Sequence, residues 1–132
     1  VLHLQRIADL GHSYKMKVHM HCCGGIYELI PLMIEAGLDG LHALQPDCVG
    51  MDLKKIKAAF GSKIVLHGGI DSKSILIDGD VDCVIKKTKE ILQIMMPGSG
   101  YIASASHDTI LDETPAENVL AMFDTVKEFG CY

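Results

Sequence analysis

His21 and Cys23 are the side chains whose types and spacing point most directly to chemistry. They close a short stretch, Lys17-Val18-His19-Met20-His21-Cys22-Cys23, that reads as a strand. Residues two apart share a face of an extended chain, so this imidazole and this thiol can bind one metal ion together. The Gly24-Gly25 step that follows allows the sharp exit a strand-to-helix turn needs. The reading is that of part of an active site.

The elements that would position these residues alternate along the chain. Residues 1–11 carry apolar side chains at helical spacing, ending at Gly11, and residues 16–22 read as the strand. Ile26 to Ala36 reads as a helix stopped by Gly37, with Pro31 marking a kink or a second start. Gly40 to Leu44 is strand-like, and 45–51 is a loop. Asp52 is a good N-cap for a helix to Phe60, with Gly61 as its stop. Lys63 to His67 is the clearest strand, left through a Gly68-Gly69-Ile70-Asp71 turn. A longer loop passes Asp78-Gly79-Asp80 before a helix from about Val81 to Met96. Pro97 to Gly100 breaks it ahead of a strand over Tyr101 to Ala105. In the last helix, ending near Phe129, Thr114 is placed as N-cap, Pro115 as first residue and Glu117 as reciprocal capping partner.

One helix followed by four strand–loop–helix units implies an α/β fold with a parallel sheet covered by helices. No Gly-x-Gly-x-x-Gly follows the first strand, which removes the main support for a dinucleotide-binding sheet. In a barrel, the chemically suggestive residues all fall at strand C-termini, where barrel active sites are built. A full barrel needs about 250 residues and eight strands. The expected architecture for these 132 residues is therefore one partial domain, the C-terminal half of a (β/α)8 TIM barrel. Its outer strands would leave unpaired backbone and apolar faces, so either a missing N-terminal half-barrel or a second copy of the chain is expected to cover them.

Composition narrows the class. The net charge is −5 without a basic stripe, which argues against nucleic acid as a partner. No apolar run reaches the ~20 residues of a membrane span, and no signal-peptide pattern is present. Five irregularly spaced cysteines suit a reducing, cytoplasmic setting better than a disulfide framework. The chain begins with Val1 inside a helical pattern, which suggests a cut at its start.

The motifs resemble the uroporphyrinogen decarboxylase superfamily, in its C-terminal half. The matching stretches are His21-Cys22-Cys23-Gly24-Gly25-Ile26-Tyr27-Glu28-Leu29-Ile30-Pro31, Glu35-Ala36-Gly37-Leu38-Asp39, Leu44-Gln45-Pro46, and His67-Gly68-Gly69-Ile70-Asp71. Ser106-His107-Asp108 and Thr114-Pro115-Ala116-Glu117-Asn118 complete the set, in family order. The resemblance implies one of two chemistries. True decarboxylases act on a porphyrinogen without a metal, in porphyrin biosynthesis, as lyases. The methyltransferase branch holds zinc with a His-x-Cys motif and a distant Cys, and methylates a thiol from a methyl-corrinoid. His21 and Cys23 match the first part of that motif. The distant Cys is replaced by the region Ala105-Ser106-His107, where His107 is the strong ligand type.

Zinc is chemically suited to this trio, because it prefers imidazole and thiolate and a catalytic site keeps one position open. A thiol bound there is deprotonated near neutral pH. A helix N-terminus near Cys23 would favour the thiolate further. The structural alternative is a small packed cysteine beside a hydrogen-bonded barrel histidine. The expected metal set is thus His21, Cys23 and His107, with a corrinoid supplied by a partner protein. His107 is equally a general acid or base, a substrate hydrogen-bonder or a loop-bridging histidine. His67 precedes Gly68 and Gly69, which would let a substrate approach the backbone, and Asp71 either orients His67, binds a substrate hydroxyl or caps the next segment. Gln45 and Asp47 are rim contacts. His19 reads as core filling and Cys22 as an inert residue facing the helices. His3, His12, His42, Cys48, Cys83 and Cys131 have no setting that suggests chemistry, and Met16, Met20, Met95 and Met96 read as core. A half-chain acting alone is expected to be inactive, leaving an inactive fragment or oligomerisation module as the remaining reading.

Overall fold

A computed structural model describes residues 1–131. Its order is α1 (Leu2–Ser13), β1 (His19–His21), a 3-10 turn (Tyr27–Leu29) leading into α2 (Ile30–Glu35), β2 (Gly40–Leu44), and α3 (Leu53–Phe60). There follow β3 (Val65–Ile70), a π-helical segment (Ser72–Ile77), α4 (Val81–Met95), β4 (Tyr101–Ala105) and α5 (Ala116–Phe129). The strands form one parallel sheet in chain order β1-β2-β3-β4. This is the strand–helix alternation expected of half of a (β/α)8 barrel.

Alternation within each strand separates two faces. Leu41 and Leu66 are fully buried toward the helices, where they join Ile30, Ile56, Val84, Leu92 and Met95 in a single core. The opposite, inner face carries His19, His21, His42 and His67, whose rings meet across β1, β2 and β3. Burial of the large aliphatic side chains, each contributing about 1.5–3 kcal/mol, therefore acts on the helix side of the sheet.

Several local expectations shift for identifiable reasons. β1 is three residues long, because Val18 is already engaged with Asp39, whose carboxylate accepts from the Val18 N–H, Lys17 Nζ and His12 Nε2. Those contacts hold the Asp39 carboxyl far below the ordinary aspartate range, the Lys17 hydrogen bond contributing most. Gly11 does not stop α1; without a side chain it leaves room for Val18. Pro31 sits in the first turn of α2, so it marks a second start after the 3-10 turn. Thr114 does not cap α5: the N-cap is Pro115, without a side-chain bond, and the helix begins at Ala116. Asp52 does cap α3, accepting from the Lys55 N–H at 2.8 Å.

The larger difference lies at Gly68 and Gly69. They are strand residues of β3, paired with Ala103 and Ser104 of β4, and not a turn. Both have positive φ, 115° and 94°. A Cβ on Gly68 would lie 2.7 Å from the Leu44 backbone nitrogen, so glycine is what lets β2 and β3 approach here. The π-helical segment replaces the expected loop after β3, and Asp71 is its N-cap. Met16 is exposed, and not core, while Met95 is fully buried. No helix among the described residues is long and apolar enough to cross a membrane.

Candidate active site at the strand C-termini

β1 ends at His21, and the chain passes through Cys23 and a left-handed Gly24, φ 98°. The His21 Nε2 and the Cys23 Sγ are 3.0 Å apart, so the two groups predicted to act together do converge. The turn is held from β2: Gln45 Oε1 accepts the Gly24 N–H, which spends the side chain expected at the rim for substrate on fixing the loop. Gly25 is closed in by the Val49 carbonyl, which a Cβ would meet at 2.7 Å. The 3-10 turn intervenes before α2, so no regular helix starts directly at Cys23 to lend its dipole to the thiolate.

The parallel register sets His21 beside His42. Their Nδ1 atoms are 2.9 Å apart, and their ring centroids 4.9 Å. His42 in turn lies over His67, with centroids 4.3 Å apart, and His67 meets the edge of His19 at 5.4 Å. Four imidazoles thus run in contact across three strands. His42 was not singled out by sequence; the signal was cross-strand register, visible only once β1 and β2 are paired. His19, expected in the core, is exposed at the start of this row.

Burial is the first cause that lowers the pKa of His67, to about 4, with His42 and His19 adding to it. His42 is also lowered, by burial first and by His21 and His19 next, against an opposing pull from Asp108. The sign follows from linkage. The unfolded chain protonates His67 near pH 6.5 while the folded chain resists until about pH 4, so native stability falls as pH drops through that window. His67→Phe is therefore expected to flatten the loss of urea-midpoint stability between those pH values, and an unchanged slope would count against a neutral, buried His67.

The remaining candidates are placed differently. The Asp71 carboxylate is taken by the backbone N–H and hydroxyl of Ser74, so it caps the π-helical segment instead of orienting His67. His107 lies after β4 with its Nδ1 2.9 Å from Asp108 Oδ1. His107, His42 and His67 line a cleft of about 290 Å³, together with Ala103, Ala105 and Met122. His107 is not gathered with His21 and Cys23. Among the described residues no three His, Cys, Asp or Glu side chains come together as a set able to hold a metal ion. The donor types of His21 and Cys23 suit two of zinc's usual four positions; at 3.0 Å the two atoms are in direct hydrogen-bond contact, and the pair would have to open to about 3.5 Å to admit a tetrahedral ion. Cys48, predicted to be inert, is shielded, and burial pushes its thiol pKa upward.

Four parallel strands in chain order, alternating with helices, define the class as half of a (β/α)8 barrel. The sequence model for uroporphyrinogen decarboxylase (URO-D) matches residues 1–129, and the chain belongs to that family. Among solved structures it is similar to a methyltransferase from Methanosarcina mazei, with 28% identity and a TM-score of 0.75 over 97% of this chain. The chain spans about a third of that protein's length, 35%. No curated protein is significantly similar to it in sequence.

Proposed function

We propose that this chain is the C-terminal half of a methyltransferase-type member of the family, which moves a methyl group from a corrinoid to a thiol. The observation that carries the proposal is the convergence of His21 Nε2 and Cys23 Sγ at 3.0 Å, at the end of the first strand. Similarity to a methyltransferase supports the same reading. His21 and Cys23 would hold two positions on zinc, and His107, which the fold does not gather with them, is the third donor proposed. When bound, zinc supplies a lowered pKa for a thiol in its open position. A methyl-corrinoid, when bound opposite, would supply the methyl group that this thiol accepts in exchange for its proton. The thiol proton goes to solvent. The chain's own contribution is positional: Gln45 fixes the Gly24 turn, and the strand pairing sets His21 against His42.

A corrinoid carrier protein is the proposed donor, docking at the mouth of the barrel. A complementary half-barrel or a second copy is the proposed cover for the outer strands. Apolar residues left exposed on α1 and α5, Ile7, Leu10, Leu120 and Phe123, support such a cover.

The second reading, metal-free decarboxylation of a porphyrinogen with His107 near the substrate, is favoured by the cleft that His107 lines together with His42 and His67. The deciding experiment supplies the rest of the barrel, then offers methylcobalamin with a panel of small thiols and, separately, uroporphyrinogen. Corrinoid demethylation with a matching thioether mass is expected. Loss of carboxyl groups from the tetrapyrrole without methyl transfer would install the second reading instead.

A further inference from the structure

We infer that His42 is the positioning residue of the His21–Cys23 pair, accepting the Nδ1–H of His21 and so presenting the bare Nε2 of His21 toward Cys23. The inference rests on the proposed use of His21 and Cys23 as donors, and it adds a residue to which no role attaches otherwise.

A neutral imidazole carries one N–H, and both ring nitrogens of His21 have a neighbour: His42 Nδ1 at 2.9 Å and Cys23 Sγ at 3.0 Å. For Nε2 to offer a lone pair beside Cys23, the proton must sit on Nδ1. It then needs an acceptor, and the His42 Nδ1 lies within hydrogen-bond distance. Liganding histidines generally have their free N–H fixed in this way, most often by a carboxylate or carbonyl. Here the acceptor is a second imidazole, brought opposite by the β1–β2 register and packed on its other side by His67. The reverse arrangement, with His42 donating and His21 Nε2–H facing sulfur, would leave His21 without a free lone pair on that side.

Two substitutions separate the acceptor from the bulk. In His42→Asn, the amide oxygen can occupy the place of Nδ1 and still accept. In His42→Leu, a group of similar branching fills the space but accepts nothing. The test is long-range ¹H–¹⁵N correlation of the imidazoles in the uniformly labelled, metal-free full chain, with the His21 signals assigned by their disappearance in His21→Ala. The expected result is an Nδ1–H tautomer for His21 in the native chain and in His42→Asn, with that preference lost in His42→Leu. An Nε2–H tautomer in the native chain overturns the inference, as does a preference unchanged by His42→Leu. If the leucine variant fails to fold, the native and asparagine spectra still decide. Zinc titration of the same samples keeps the two ideas apart: the expected tautomer without zinc uptake removes the metal reading and leaves the role of His42 standing.

Discussion

Replacing Gly68 with alanine is expected to destabilise the chain by about 2–6 kcal/mol. Two independent costs coincide there. The residue has φ +115°, outside the range L-residues adopt readily, which costs about 1–3 kcal/mol. The new Cβ would also lie 2.7 Å from Leu44 N, 3.2 Å from Leu44 O and 3.5 Å from Ala105 O. All three are backbone atoms of the neighbouring strands, which cannot rotate away as a side chain would, and overpacking of this kind costs about another 1–3 kcal/mol. Because His42 and His67 lie on the strands being forced apart, their ring contact should be lost as well. Gly24→Ala is the control: its φ is +98°, but nothing lies within 4 Å of its Cβ, so only the conformational cost applies. Urea unfolding followed by circular dichroism measures both. Equal losses in the two variants would mean that close approach of β2 and β3 is not what Gly68 provides.

Asn118→Ala should cost about 2–4 kcal/mol, although the residue touches none of the candidate site. Asn118 is 2% exposed, and its side-chain amide donates to the carbonyls of Leu76 at 3.0 Å and Gly79 at 2.7 Å. These bonds tie α5 to the π-helical segment and the loop after it. Alanine leaves both carbonyls without that donor in a largely dry setting, which is costlier than losing a hydrogen bond in water. Asn118→Asp sharpens the test, since it keeps the shape and turns a donor into a negative charge facing two carbonyl oxygens. Such an aspartate would have its folded pKa raised above the unfolded value. Its destabilisation is then full at pH 7 and shrinks as pH falls toward the unfolded value of about 4. An aspartate variant as stable as the native chain at pH 7 would remove Asn118 from this role.

Much of the architecture was legible because local signals agreed. Asp52 caps α3, Gly40 to Leu44 forms β2, and the alternation of apolar strands with helical spacing gave the parallel half-barrel. The errors cluster where one residue type answers to two physical demands. Gly68 and Gly69 read as a turn because glycine usually supplies one, whereas both lie within β3 and Gly68 supplies close strand approach. Asp71 served equally well on paper as a partner for His67 or as a cap. Ser74 decides the matter by offering both a backbone N–H and a hydroxyl three residues on. Thr114 fits a capping pattern, but the helix begins one residue later than that pattern requires.

The candidate site divides in the same way. The pairing of His21 with Cys23 was visible because it depends only on strand alternation within one segment. His42 was invisible because it depends on which residue of a different strand falls opposite, and no local pattern encodes that. The Gln45 contact with Gly24 has the same origin, a bond between strand ends twenty-one positions apart.

The central claim, that His21 and Cys23 form a zinc-binding pair, is tested most directly by metal content. Inductively coupled plasma mass spectrometry would be run on reduced chain purified without a polyhistidine tag or chelator and then supplied with zinc, beside His21→Ala and Cys23→Ser. About one zinc per native chain is expected, with loss of that zinc in both variants. A native chain that takes up none, or variants that keep theirs, would contradict it.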